Sequence, residues 1–236
     1  MARRLIIGVV GHTGESTEKL ATLAAQVGLQ ITEREVILLT GGEPKAVKPV
    51  KDAAMYGAES HGSKKGRLIS ILPRQGRAAA TIHQRDKSTH LRIDTLLSSH
   101  ERNVINGRSA DVVIALQGGP GTLSEIAFAN DAQTPLVFLD SLLQLRQRFD
   151  SEKQKLMEII EDARKKYSWI DVQATLRRMS DLLHQPEADL NLASNPKAAV
   201  DKALTLAINS SNEPQFPAIP PFTISQAEFD TKVGQL

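Results

Sequence analysis

Residues 111–125 read DVVIALQGGPGTLSE, and the fold turns on them. Asp111 to Leu116 is an apolar, β-branched run of strand length, Gln117 to Gly121 packs glycine and proline into a tight turn, and Thr122 to Asn130 continues as a helix. Strand, glycine turn and helix in direct succession form one half of a parallel crossover unit. The succession recurs upstream. Arg4 to Val10 (RLIIGVV) reads as a strand covered on both faces, followed by Gly11-His12-Thr13-Gly14 and a helix capped by Ser16 that runs to Val27 and stops at Gly28. Val36 to Thr40, Gly41-Gly42 and about 46–56 repeat the pattern, and Arg67 to Leu72 forms a third strand closed by Pro73. Leu91 to Leu97 alternates weakly as a strand, Ser98 or Ser99 caps a helix to about Arg108, and Pro135 to Leu139 ends the series.

From Ser141 the pattern is helix without strand, over Leu142–Lys166 and Val172–Leu183. These amphipathic helices extend the core or supply a dimer surface, two outcomes that periodicity does not separate. Asn195-Pro196 opens a last helix to about Asn209. The expected class is α/β, a Rossmann-like doubly wound parallel sheet with a helical C-terminal elaboration. The expected division is a nucleotide- or phosphate-binding core over 1–140, the elaboration over 141–194, the final helix of the core over 195–209 and an extended proline-containing tail over 210–236. The polar, basic stretch 74–90 reads as a loop.

At 236 residues, with 41% hydrophobic, 24% charged and 4% aromatic residues, the chain has an aliphatic core and is not disordered, collagenous or coiled-coil. It has no cysteine, which excludes disulfides, thiolate metal sites and cysteine nucleophiles. No apolar run approaches the roughly 20 residues of a membrane helix, and Arg3-Arg4 precede too short an apolar run for a signal peptide. We therefore expect a cytoplasmic protein. Net charge is +2, yet Glu43 to Arg92 holds eleven Lys or Arg against four Asp or Glu. That segment is either a solvated basic face or the neighbourhood of an anionic ligand. Nucleic acid is the least supported partner, because no aromatic-interleaved basic patch accompanies the charge.

In an open α/β sheet, ligands gather at the C-terminal ends of the strands, where the three glycine turns fall. The strongest is the 117–122 turn. Gly118, Gly119 and Gly121 let the backbone approach a ligand without Cβ interference, and the helix that follows aims its free N–H groups at the space, where phosphate is the natural occupant. Thr122-x-x-Glu125 also has the spacing of a capping box, so Glu125 reads equally as structural or functional. Ser99 to Asn103 reads as a capped, exposed helix start. Gly8, Gly11 and Gly14 miss the dinucleotide fingerprint by one residue, and no acidic residue ends the second strand, which argues against NAD or FAD. The six histidines show no metal-ligand spacing, and there is no GxSxG elbow. No metal is expected.

Arg102-Asn103, Arg108-Ser109-Ala110-Asp111 and Gly118-Gly119-Pro120-Gly121-Thr122-Leu123-Ser124-Glu125 together resemble the superfamily that contains the Lonely Guy phosphoribohydrolases and the molybdenum cofactor carrier proteins. In the hydrolase branch the motif PGGxGTxxE holds a nucleoside monophosphate. The resemblance implies that Gly118, Gly119, Gly121 and Thr122 hold phosphate; the glycine turns at Gly11 and Gly41-Gly42, with Arg102 and Asn103, complete the expected ligand site. It also implies Arg102 and Glu125 as the catalytic pair acting at the ribose. Gln117 stands where the motif has proline, Asn103 where it has lysine, and the glutamate-rich continuation is missing, which brings the chain closer to the carrier branch. The expected function is binding of a phosphate-containing, nucleotide-like ligand, a nucleotide or a molybdopterin-type molecule, by a homo-oligomer. The alternative is hydrolysis of a nucleoside monophosphate to free base and ribose 5-phosphate.

Overall fold

The computed structural model describes residues 4–12, 14, 16–41, 49–60, 67–73, 90–95 and 97–210. Among them lie seven strands: β1 (Ile6–Val10), β2 (Ile37–Thr40), β3 (Arg67–Leu72), β4 (His90–Asp94), β5 (Val112–Ala115), β6 (Leu136–Leu139) and β7 (Leu192–Ala193). They form one sheet, in the order β4-β3-β2-β1-β5-β6-β7, with every neighbouring pair parallel. The helices are α1 (Glu18–Glu33), α2 (Val50–Ser60), α3 (Ser99–Arg108), α4 (Pro120–Asp131), α5 (Leu142–Lys166), α6 (Val172–Leu183) and α7 (Pro196–Ser210). This is the Rossmann-like architecture expected of the βα succession.

Helices cover both faces. On one, α1, α2 and α7 bury Leu20, Val27, Ala54 and Ala203 against Ile7, Val9, Leu38 and Ile114. On the other, α3 to α6 bury Val104, Phe128, Leu145 and Met179 against Val10, Val113, Ala115 and Phe138. Strands buried on both sides need continuous apolar sequence, which is why β5 and β6 read so plainly. Asp111 locks β1 to β5 from below: its amide donates to the Ile6 carbonyl, and its carboxylate accepts from the Ile6 amide, both at 2.8 Å.

Several boundaries move for physical reasons. Thr17, not Ser16, caps α1, its hydroxyl accepting from the Leu20 amide at 3.2 Å. Gly28 does not stop the helix but sits inside it, where α2 crosses. A Cβ there would lie 1.8 Å from the Ala54 carbonyl oxygen, and one on Gly57 would lie 1.8 Å from that of Ala25. Glu35, at φ +58, makes the left-handed turn that Gly28 was expected to supply. α2 begins at Val50 and runs to Ser60, whereas 46–48 fall outside the described residues, as do 74–89 and the 211–236 tail.

The stretch after Ser141 is not strand-free. A 3-10 turn at Glu187–Asp189 leads into β7, which pairs with β6 through Phe138 and Leu192. α5 and α6 pack their apolar stripes, Leu145, Phe149, Leu156, Ile160, Leu176 and Leu183, into the core beside α4. Glu152 breaks the helical dihedrals of α5 at φ −121, ψ 19, dividing it into two segments. Asn195 opens α7 by accepting from the Ala198 amide at 2.9 Å. No helix of the described residues is long and apolar enough to cross a membrane.

Candidate functional site

β1 lies between β2 and β5, so the sheet's strand order reverses there, and the crevice beyond the C-terminal ends of β1 and β5 is the switch point where ligands bind in such sheets. Backbone bonds knit this edge together. The His12 amide donates to the Gln117 carbonyl at 2.9 Å, and the Val50 amide to the His12 carbonyl at 3.0 Å. The turn after β5 delivers Gly119 as the N-cap of α4, in extended backbone at φ −101, with Pro120 in the first turn. No side chain of the described residues caps this helix end. The amides of Gly121 and Thr122 lie in the first turn, where a helix has no carbonyl of its own to offer.

Space opens at this corner. Among the described residues, a Cβ on Gly119 would meet no atom within 4 Å, and one on Gly121 would meet only Asn103 Nδ2, at 3.9 Å. Both glycines line a cleft of about 500 Å³. His12 from the β1 loop, Lys51 from α2, Arg102 and Asn103 from α3, and Lys155 from the second segment of α5 share its walls. His100, also on the wall, bonds Asp162 of α5 at 3.1 Å. Hydrogen bonds from Lys165 first, and then from His100, hold the Asp162 carboxyl below its ordinary range.

α3 departs from the exposed helix expected of residues 99–103. Ser98 and Glu101 form a reciprocal capping box at its start, but Arg102, Asn103 and Asn106 face inward and are buried. Arg102 Nη1 donates to the Gly41 carbonyl at 2.7 Å. Asn103 Nδ2 donates to Ser124 Oγ at 2.8 Å, and Ser124 Oγ donates to the Gly121 carbonyl at 2.8 Å, which steadies the corner from below.

Glu125 is not a capping residue. α4 has its N-cap at Gly119, three residues before the Thr122 that the Thr122-x-x-Glu125 spacing suggested, so Glu125 falls in the second turn, wholly buried. Its Oε1 accepts from Lys51 Nζ at 2.8 Å and from Asn106 Nδ2 at 2.7 Å. Its Oε2 is buried with no hydrogen-bond partner among the described residues.

The remaining glycines divide by task. Gly11 makes room for packing, since a Cβ there would lie 2.5 Å from Val50 Cγ1. Gly41 makes room for side-chain heads: its Cβ would fall 2.1 Å from Arg102 Nη1, 2.7 Å from Lys51 Nζ and 2.8 Å from Asn106 Nδ2. Gly42 lies outside the described residues. The Gly118 peptide is already engaged. Its amide donates to Gln144 Oε1 at 3.1 Å, and its carbonyl accepts from Gln144 Nε2 at 3.0 Å. Thr122 is buried against Gly118 and lines the cleft.

Lys51, Asn106 and Gln144 were not among the expected site residues. Lys51 had a signal, since it shares the buried face of α2 with Ala54, Met55 and Ala58 at helical spacing. Asn106 follows Arg102 by one turn. Gln144 carried no local sign.

Comparison with known proteins agrees with this fold. The model of the SLOG cluster4 family matches residues 4–168, which span β1 through α5 and therefore every group described around the cleft. The chain belongs to the SLOG cluster4 family. An uncharacterized protein of Archaeoglobus fulgidus is 37% identical to this SLOG cluster4 chain over 123 residues, 52% of this chain and 72% of the relative. Among solved structures, the molybdenum cofactor binding protein from the phototrophic bacterium Rippkaea orientalis is 27% identical. It superposes with a TM-score of 0.57 over 90% of this chain and 100% of its own. The Moco carrier protein from Chlamydomonas reinhardtii is also 27% identical, with a TM-score of 0.59 over 88% and 99%.

Proposed function

We propose that this SLOG cluster4 chain is a carrier that binds a phosphate-containing, nucleotide-like small molecule in the cleft at the C-terminal ends of the strands. The observation that carries the reading is the open space at Gly119 and Gly121, set at the uncapped N-terminus of a 12-residue helix. There, backbone amides and the helix dipole favour negative charge. Gly119, Gly121 and Thr122 hold the phosphate, and Arg102, Asn103 and Gly41 shape the wall behind it.

The molybdenum cofactor, a pterin bearing a phosphate, is the cargo that the named structural relatives favour. The chain has no cysteine to hold a metal through thiolate, so the grip falls on the phosphate and ring. Burial of Glu125 behind Lys51 weighs against hydrolysis at a ribose, which needs a carboxylate beside the sugar. Within the same proposal the chain works in the cytoplasm as a homo-oligomer.

Native mass spectrometry of the purified protein, with molybdenum measured by plasma emission, tests the cargo. Retained phosphate-bearing ligand is expected in wild type and none in Gly119→Asp, which adds a carboxylate in the open corner yet suits the N-cap. Equal retention in both would remove the corner from the site. Incubation with AMP and N6-substituted AMPs should release no base; release would establish the hydrolase instead.

A further inference from the structure

We propose that Lys51 is a ligand-contacting cation at the cleft floor and that Glu125 is its positioning residue rather than a catalytic group. This inference rests on the carrier reading and names the anion's second contact. Lys51 is 2% exposed and Glu125 is 0% exposed, and their ion pair is 2.8 Å long. Of the two, only Lys51 lines the cleft. The carboxylate sits one layer deeper.

A buried ion pair is seldom the cheapest way to fill a core, because apolar side chains of similar volume give equal or greater stability. The rest of the buried face of α2 is filled in that way, by Val50, Ala54, Met55 and Ala58. The pair instead occurs where α2 passes the strand ends and the walls converge on the glycine corner. Gly41 has no side chain there, and the space it leaves brings Lys51 Nζ, Arg102 Nη1 and Asn106 Nδ2 around one point. A methyl group on residue 41 would expel them.

The arrangement orders the charges. Asn106 donates to Glu125 Oε1, which fixes the carboxylate, and that same oxygen fixes the ammonium. Glu125 Oε1 takes one of the three donors that an ammonium carries. Held in this way, Lys51 lines the same cleft as Gly121 and Thr122. An anionic group between them receives donors from both sides, and the chemistry selects phosphate or another compact oxyanion over a neutral ring.

Equilibrium dialysis of the full chain against inorganic phosphate and AMP tests the proposal, with folding followed by thermal melts. Glu125→Gln keeps the shape but removes the charge, and the double variant Lys51→Met/Glu125→Gln removes both charges without stranding either. Each should bind about 10- to 100-fold more weakly, the range for a lost charge-assisted hydrogen bond. In wild type, the Lys51 side-chain ¹⁵N resonance should move as phosphate is added, which a purely structural ion pair would not do. Unchanged affinity in the double variant, with binding still lost in Gly119→Asp, would overturn this role for Lys51 and leave the carrier standing. Unchanged affinity in Gly119→Asp would overturn the carrier and this inference with it. If wild type cleaves AMP and Glu125→Gln binds it normally without cleaving it, Glu125 is catalytic and the positioning role is wrong.

Discussion

The crossing of α1 with α2 and the corner at the start of α4 are both built on glycine, and they use it in opposite ways. At Gly28 and Gly57 a Cβ would run into a carbonyl oxygen 1.8 Å away, so the missing side chain lets two helices touch backbone to backbone. At Gly119 a Cβ would touch nothing among the described residues. Absence of a side chain is filled by protein in the first place and left open in the second. On the proposed carrier reading, a glycine that the fold does not need for packing, at the end of a central strand, is kept for the ligand.

The sharpest contrast comes from adding atoms at each place. Gly119→Asp should abolish phosphate binding, by 100-fold or more, while its melting temperature stays within about 2 °C of wild type, since Asp and Gly differ by only a few tenths of a kcal/mol as N-caps. Gly28→Ala should do the reverse. Alanine gains up to about 1 kcal/mol over glycine in a helix interior, but overpacking costs about 1–3 kcal/mol and more against rigid backbone, so the clash wins. A drop of about 5–10 °C is expected by calorimetry, with phosphate affinity unchanged at temperatures where the variant is folded. Stability lost at Gly119, or binding lost at Gly28 in the folded variant, would break the comparison.

A smaller effect probes the scaffold of the corner. Gln144 closes both polar groups of the Gly118 peptide, so Gln144→Ala leaves that turn held only by its neighbours. Phosphate affinity should fall about three- to tenfold, the worth of roughly 1 kcal/mol. No change would mean that the corner keeps its shape without the elaboration.

Much of this architecture was legible because burial writes apolar runs into β1, β3, β5 and β6, and because glycine turns follow β1, β2 and β5. The bounds of α5 and α6 came from amphipathic spacing. β7 was illegible: two residues are too short for any period. The site was half legible. Its glycines and Arg102-Asn103 stood in a local motif, but Lys51 meets Glu125 across 74 positions and Gln144 meets Gly118 across 26. Such pairings belong to the fold and leave no spacing to read. Gly28 and Gly119 are the same letter, and only their surroundings separate a packing role from an open corner.

The smallest effect expected lies at the edge of the sheet, on β4. His90 Nε2 lies 2.8 Å from Ser70 Oγ. Burial first, and then the charge of Arg92, holds the His90 pKa below its ordinary value of 6.5. The folded state therefore keeps His90 neutral where the unfolded chain takes up a proton. The stability this contributes is complete above pH 6.5 and is lost as pH falls through the lowered folded value. Melting temperature should decline more steeply between pH 7 and 5 in wild type than in His90→Gln, with phosphate affinity at neutral pH the same in both. Parallel profiles would contradict the assignment.

The claim on which the rest depends is that an anion sits on the backbone of the open corner. A ¹⁵N–¹H correlation spectrum recorded through a titration with inorganic phosphate reads that backbone directly. The amides of Gly119, Gly121 and Thr122 should shift together along one saturating curve, while those of Gly28 and Gly57 stay still. Saturation elsewhere in the molecule with the three corner amides unmoved would contradict the account.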